Sequence, residues 1–334
     1  MTGFITRLKK NNMIKKIMID NNYDYDCIFN HKKTIVNVSN SESDMNFIIG
    51  VKGRLPYFRA TIQNLIMGVK STTKLKVNII VVEQDIEPIN QNFCIENNVG
   101  YIFIPLEITK SDNLHSTSLM YNIGYLFSKT AKYSAFHCAD IMVGYHFFET
   151  LSDYYFNKDF NWLQPYCDKR VVTFSPSTTN SLLNGVFPTF DPSKFDSEMF
   201  NSEPEVQGAP GGCIIVPSEL FENVGGYDPE LFYGYTVEDS FFWCKLEVMV
   251  NGEKCPHIHF KGGTYAENPK LYLYHLHHPN IKNENPYFKK MFDYYSEFCS
   301  IFTYEQQLEY IKHKSEIFKQ QKEKLRITKL KMVT

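Results

Sequence analysis

Four short stretches of the chain hold side chains able to do chemistry together. Glu238 and Asp239 are adjacent at the start of a segment with helical composition. Carboxylates there meet the positive end of the helix dipole and stay ionised unless buried. One of them could take a proton from a hydroxyl; an acidic first turn on an ordinary helix is the alternative. The aromatic residues just before the pair, Tyr233 and Tyr235, offer flat faces for a sugar ring.

The second stretch is His275-Leu276-His277-His278. In an extended segment His275 and His277 share one face. In a turn or helix His275 and His278 come together instead. Two imidazoles plus a carboxylate suit manganese, zinc or similar metals. His257 and His259 form another alternating pair, with no further feature to support them as ligands. The third stretch, Phe136-His137-Cys138-Ala139-Asp140, closes an apolar run. Ligands of open α/β sheets sit outside the carboxyl ends of strands, where Asp140 could hold a metal that also holds a diphosphate. Lys52 and Arg54 follow the first strand and could meet nucleotide phosphates. Neither a P-loop nor a dinucleotide-binding glycine pattern is present.

These groups need elements to hold them. Continuous apolar runs predict strands over 46–51, 76–82, 101–104 and 133–138, and a further strand over 213–216. Helical spacing predicts helices over 56–67, 113–129, 218–224 and 238–249. Residues 270–274 read as a strand leading into the histidines, and 287–325 as helical. Strands apolar on both faces, alternating with helices, predict an α/β fold with a mostly parallel central sheet flanked by helices. The expected organisation is an N-terminal extension over 1–44 and a main domain over 45–286, which divides near residue 140 into a strand-and-helix half and a loop-rich half over 141–286. A C-terminal helical tail, solvated on one face, follows over 287–334.

Lys and Arg number 35 against 37 Asp and Glu, a net charge of −2. No basic face for nucleic acid is expected from that balance. No apolar stretch approaches the roughly 18 residues that a membrane span needs. The eight cysteines are scattered without a Cys-x-x-Cys pair, so no structural zinc knot is expected. The N-terminal stretch is basic but lacks a continuous apolar core. The expected location is the cytoplasm, without signal peptide or anchor, in a microbial or viral setting.

The order of these signals resembles that of the beta-1,4-galactosyltransferase family and the related chondroitin-type hexosaminyltransferases, which have the GT-A fold. The stretch GGCIIVPSELFENVGGYDPELFYGYTVEDSFFWCKL, residues 211–246, carries the likeness. Weaker matches are IIGVKGR, VNIIVVEQ, SLMYNIGY, FHCADI and HLHHPN, together spanning about two-thirds of the chain. The resemblance implies that Asp140 is the second acid of the metal motif and His278 its metal-binding histidine. His275 falls on a second metal ligand. Asp239 falls on the catalytic base and Glu238 on its acidic neighbour. Lys52 and Arg54 match basic residues near the nucleotide, and Tyr235 replaces an acceptor-stacking tryptophan. Cys138 stands in place of the motif's first Asp, and Ser240 in place of a third acid that often helps bind the acceptor. Thr236 replaces a loop glycine. Ala209, two residues before Gly211-Gly212, stands where a bulky residue would crowd the sugar's C2 substituent, so the resemblance implies room for an acetamido group.

The resemblance makes residues 45 to about 140 the nucleotide-sugar half of the main domain and 141–286 the acceptor half, and the implied function is a metal-dependent inverting glycosyltransferase. It would use Mn2+ or another divalent metal, a UDP-sugar donor and a glycan, protein or lipid acceptor. A catalytically inactive sugar- or nucleotide-binding relative is the alternative, with Cys138 and Ser240 as its sequence support. A metal-dependent hydrolase built on the histidines is a third reading.

Overall fold

The apolar runs read from the sequence form the centre of a sheet. The computed structural model describes residues 16, 18–38, 41–108, 114–144, 146–157, 160–166, 171–185, 212–234, 236–255, 264–265, 271–278 and 285–333, with side chains except at 156, 264–265 and 328–333. Its strands are β1 (Ile35–Asn37), β2 (Met45–Val51), β3 (Val77–Asp85), β4 (Gly100–Pro105), β5 (Tyr133–His137), β6 (Ile141–Val143), β7 (Leu163–Gln164), β8 (Val171–Thr173), β9 (Cys213–Pro217), β10 (Thr264–Tyr265) and β11 (Leu273–His275). Eight of them form one sheet in the order β1-β4-β3-β2-β5-β9-β7-β10. The four central strands β4-β3-β2-β5 are mutually parallel, whereas β9 runs antiparallel to β5 and β7. A second, three-stranded sheet has the order β6-β11-β8.

Both faces of the large sheet are covered, which is why its strands lack polar alternation. Ile48, Ile80, Val82, Ile102 and Phe136 enter one core cluster. Their neighbours Phe47, Ile49, Val81, Tyr101 and Ala135 enter the other. Helix α1 (Leu55–Lys70) lies on the second face, and α2 (Thr117–Phe127) lies on the first. A Cβ at Gly124 of α2 would stand 2.4 Å from Ile48 Cγ2 and 3.1 Å from Val82 Cγ2, so glycine lets this helix lie close to β2 and β3. Ser116 caps α2 by accepting from the Leu119 N–H at 3.2 Å.

The first face also receives α3 (Ser218–Asn223), α4 (Glu238–Asn251), α5 (Phe288–Ser296) and α6 (Tyr304–Val333). Tyr310, Ile311, Phe318 and Leu325 recur at near-heptad spacing along α6 and are buried in this cluster. Met18, Tyr25 and Ile28 of the N-terminal stretch join it, and β1 extends the sheet edge.

Among the described residues, the loop-rich stretch after Asp140 contains two helices not read from the sequence, Phe147–Asn157 and Pro176–Leu183. The first buries Phe147, Phe148, Leu151 and Tyr154 at helical spacing. Ser175 caps the second by accepting from the Thr178 N–H at 3.2 Å, with Pro176 in the first turn. Among the described residues no helix is long and apolar enough to cross a membrane.

Candidate active site

Strand order decides where ligands can sit. The chain lays β2, β3 and β4 toward one edge, then returns to place β5 on the other side of β2. The carboxyl ends of β2 and β5 therefore flank the point of reversal, the usual ligand crevice of open α/β sheets. Lys52-Gly53-Arg54 leaves the first end and Cys138-Ala139-Asp140 the second. Gly53 (φ 59°) and Arg54 (φ 51°) both adopt left-handed backbone as the strand turns into α1. That conformation is strained for arginine, and such strain gathers at functional sites. The Gly53 N–H donates to Asp85 Oδ2 at 3.1 Å, tying the turn to the end of β3. The Arg54 guanidinium pairs with Oδ2 of Asp140.

The small sheet brings the histidines to the same carboxylate. β11 pairs with β6 so that His275 lies opposite Ile141, and the Leu276 N–H donates to the Asp140 carbonyl at 2.9 Å. The chain turns after His275. His278 Nε2 then lies 3.3 Å, and His275 Nε2 3.9 Å, from Asp140 Oδ2. Of the two pairings open in the sequence, His275 with His278 is the one that forms. The His277 N–H instead donates to Thr179 Oγ1 at 3.0 Å. Tyr57 of α1 sets its ring against His278, centroids 5.9 Å apart. Ligand-capable atoms of Asp140, His275 and His278 all lie within 4.8 Å of one another. One carboxylate and two imidazoles form a mixed oxygen and nitrogen donor set that fits manganese or a similar divalent ion.

The acid pair opens α4 without a side-chain cap, and neither acid meets a cation among the described residues. Burial raises Asp239 to about 6. Glu238 is also raised, well above the usual carboxylate range, by burial and then by the charge of Asp239. Burial thus raises both acids, and the charge of Asp239 raises Glu238 further, so the pair is set toward holding and exchanging protons. Both acids act on Cys138 across the crevice: burial, then Asp239 and Glu238, push its thiol up to about 12. Cys138 therefore stands as a neutral thiol where a metal motif would carry an acid.

The remaining sequence candidates divide. The carbonyl of Gly212 accepts from the Cys138 N–H at 3.2 Å, placing the start of β9 at the crevice. Its close approach to Leu273 and Val171 would bring a Cβ to 3.1 and 3.3 Å. Tyr233 packs its ring against Tyr287 at 5.5 Å, and its carbonyl accepts from Asn285 Nδ2 at 2.7 Å. Lys52 lies near His115, which is pushed down to about 4 by burial and then by the charges of Lys52 and Arg54. Ala209, Gly211, Tyr235, His257 and His259 lie outside the described residues. His137 is not at the crevice: its Nε2–H donates to the Ile141 carbonyl at 2.8 Å, and burial lowers it to about 4.

Sequence reading missed Asp85, His115, Tyr57 and Thr179. Asp85 had a signal, since it ends an apolar strand as Asp140 does. His115 joins the two sides of the crevice, its carbonyl accepting from the Gly234 N–H at 2.6 Å, and nothing local announced that contact.

No protein-family model and no curated protein matches the chain. Solved structures do. A Drosophila beta-1,4-galactosyltransferase 7 variant, solved with manganese, UDP-Gal and xylobiose, is 13% identical, with 72% of this chain and 73% of that one covered and a TM-score of 0.42. A mannosyltransferase from Pyrobaculum calidifontis, with GDP-Man and Mn2+, is 10% identical over 96% of this chain and 82% of that one, with a TM-score of 0.45. Residues 1–349 of S. aureus TarS with UDP are 13% identical over 79% of this chain and 68% of that one, with a TM-score of 0.48. Likeness at this level carries no residue role or substrate across.

Proposed function

We propose that the chain is a metal-dependent glycosyltransferase that moves a hexose or N-acetylhexosamine from a UDP-sugar to an acceptor hydroxyl with inversion. The observation that supports this most directly is the convergence of Asp140, His275 and His278 at the strand-order reversal, electrostatically linked through Cys138 to an acid pair with raised pKa values. A divalent ion held there by Asp140, His275 and His278 would supply Lewis-acid charge to a departing diphosphate. Lys52 and Arg54 would add fixed positive charge beside it.

Asp239 takes the proton from the acceptor hydroxyl in this reading. The acceptor oxygen forms its bond to the anomeric carbon as the bond to the diphosphate oxygen breaks on the opposite face. Its value near 6 leaves Asp239 ionised at neutral pH while keeping it basic enough to accept a proton. Burial and the charge of Asp239 disfavour a second negative charge on Glu238 beside the base. Glu238 Oε2 is buried without a hydrogen-bond partner among the described residues, so it can meet an acceptor hydroxyl. Tyr233 and Tyr235 are assigned to the acceptor ring. Ala209, Gly211 and Gly212 are assigned to the donor sugar, with UDP-GalNAc or UDP-GlcNAc preferred to UDP-galactose because alanine leaves space at C2. The acceptor is a glycan, a protein side chain or a lipid.

UDP release over a panel of UDP-sugars, with and without Mn2+, tests the proposal. Turnover that a chelator abolishes and Mn2+ restores supports it. Arg54 on Asp140 and the neutral Cys138 thiol favour a second reading, a binding relative without turnover. That reading predicts a thermal shift with UDP and Mn2+ but no UDP release from any donor.

A further inference from the structure

Three cysteines that share no sequence motif meet in the helical layer, away from the crevice. Cys244 lies on α4, Cys255 follows that helix, and Cys299 lies in a π-helical turn, Glu297–Ile301, between α5 and α6. All are buried, and their sulfur atoms lie within 4.8 Å of one another. Cys244 Sγ and Cys299 Sγ are 3.2 Å apart. The site is held by Gln307 of α6, itself buried. Its Oε1 accepts from the Cys255 N–H at 3.1 Å, and its Nε2 donates to the Phe298 carbonyl at 2.6 Å. The same side chain therefore fixes two of the three segments.

We propose that this cluster is an oxidisable dithiol site, in which Cys299 and Cys244 form a reversible disulfide and Cys255 stands by as an exchange partner. Closing the contact to bonding length needs a movement of about 1.2 Å. A π-turn can absorb that movement more readily than a regular helix. The polar surroundings identify the nucleophile. Hydrogen bonds from Cys244, then Cys255, lower Cys299 below the ordinary thiol range, with Tyr295 and the charge of Lys254 acting in the same direction. Lys254 Nζ also donates to the Ser300 carbonyl at 3.1 Å, and Ser300 and Ile301 are exposed, so the cluster lies just beneath the surface.

A small hydroperoxide is the oxidant class. The Cys299 thiolate attacks its terminal oxygen, the O–O bond breaks, and an alcohol leaves with one proton. Cys299 then carries a sulfenic acid. The Cys244 sulfur, giving up its proton, attacks the Cys299 sulfur; the S–S bond forms, the S–O bond breaks and water leaves. Two thiols and one hydroperoxide become one disulfide, one alcohol and one water. A soft metal on the same sulfurs would bury net negative charge, because three thiolates exceed the charge of a mono- or divalent ion. A disulfide is neutral, and burial favours it. The bond would close the 55-residue span that contains β11 and both site histidines.

The full chain, reduced and then treated with graded hydrogen peroxide, is quenched in acid, alkylated in denaturant and mapped by mass spectrometry. The expected product is one Cys244–Cys299 crosslink with Cys255 alkylated, reversed by dithiothreitol. A rise of about 5 °C in unfolding midpoint should accompany it. Cys299→Ser should abolish the crosslink, and Cys244→Ser should move it to Cys255–Cys299. If all three thiols stay fully alkylatable in the wild-type chain while exposed Cys27 is oxidised, the proposal is overturned. One equivalent of copper or zinc retained by the purified chain on these three sulfurs overturns it in favour of a metal site.

Discussion

One loop and the start of the following helix hold four carboxylates that fall into two contrasting pairs. Asp228 and Glu230 are satisfied. Asp228 meets the buried Lys245 ammonium and accepts from the Tyr310 hydroxyl at 2.5 Å. Glu230 meets Lys314 at 2.5 Å, and that charge works against the burial that raises it. These contacts fasten the loop to α4 and α6. Glu238 and Asp239, eight to eleven residues further on, meet no cation among the described residues, and burial raises both. Similar residues a few positions apart thus do opposite work. Partnered carboxylates secure a loop, whereas partly buried ones without a counter-charge are costly for folding and available for proton transfer.

The sharpest test of the contrast is Asp239→Asn, which keeps shape and removes basicity. Turnover should fall about 10²–10⁴-fold with UDP and Mn2+ binding retained. Near-normal UDP release would move the base assignment to Glu238. The partnered acid should behave in the opposite way. Asp228→Ala leaves Lys245 buried and unpaired, and should cost about 3–5 kcal/mol in denaturant unfolding. A loss below 1 kcal/mol would show that this pair does not secure the loop.

Asp140→Ala should weaken Mn2+-dependent UDP binding by about 10–100-fold in calorimetry. Binding without metal should change little. Equal losses in both conditions would remove Asp140 from the metal set. Arg54→Gln should tighten Mn2+ binding roughly tenfold in the absence of nucleotide, since the guanidinium competes for the same Asp140 oxygen. It should weaken UDP binding at the same time. Unchanged Mn2+ affinity would show that the pairing offers no competition.

The pH effects are the smallest and the most diagnostic. A base with a value near 6 must be ionised to act, so kcat/KM should fall as pH drops through 6 and level off above it. Stability has the opposite sign. The folded state holds this proton more tightly than the unfolded chain, with an ordinary value of 3.8, so stability is lost as pH rises through that window. Asp239→Asn should therefore raise the unfolding midpoint at pH 8 and leave it unchanged at pH 3. A midpoint unaffected at pH 8 would mean that Asp239 folds without strain.

Much of the scaffold was legible because its signals are local. Expected strands over 46–51, 76–82 and 101–104 appear as Met45–Val51, Val77–Asp85 and Gly100–Pro105. The second runs on through Glu83 and Gln84, polar residues that the apolar-run rule stops at, although both are fully buried. Glu83 is satisfied inside the fold by Asn90 and Tyr101. The helices at 147–157 and 176–183 were not read because Ser, Thr and Asn punctuation outweighed a short apolar spacing. Asp140 and the histidines were identifiable individually as residue types at strand ends.

Residue types and local periodicity, which follow from side-chain chemistry and the two backbone periods, determined the α/β class and the roster of candidate groups. Tertiary structure decided their company. Arg54 and Asp140 are 86 positions apart and meet only because β5 returns to the side of β2. Whether His277 or His278 would join His275 depended on where β11 stops, which pairing with β6 and β8 sets. The cysteine cluster had no sequence spacing to announce it, because its sulfurs are brought together by packing of α4 against the π-turn. Which carboxylate is partnered and which is left to titrate is likewise decided by the lysines that other helices deliver, and no window of the sequence around Asp228 or Asp239 contains Lys314.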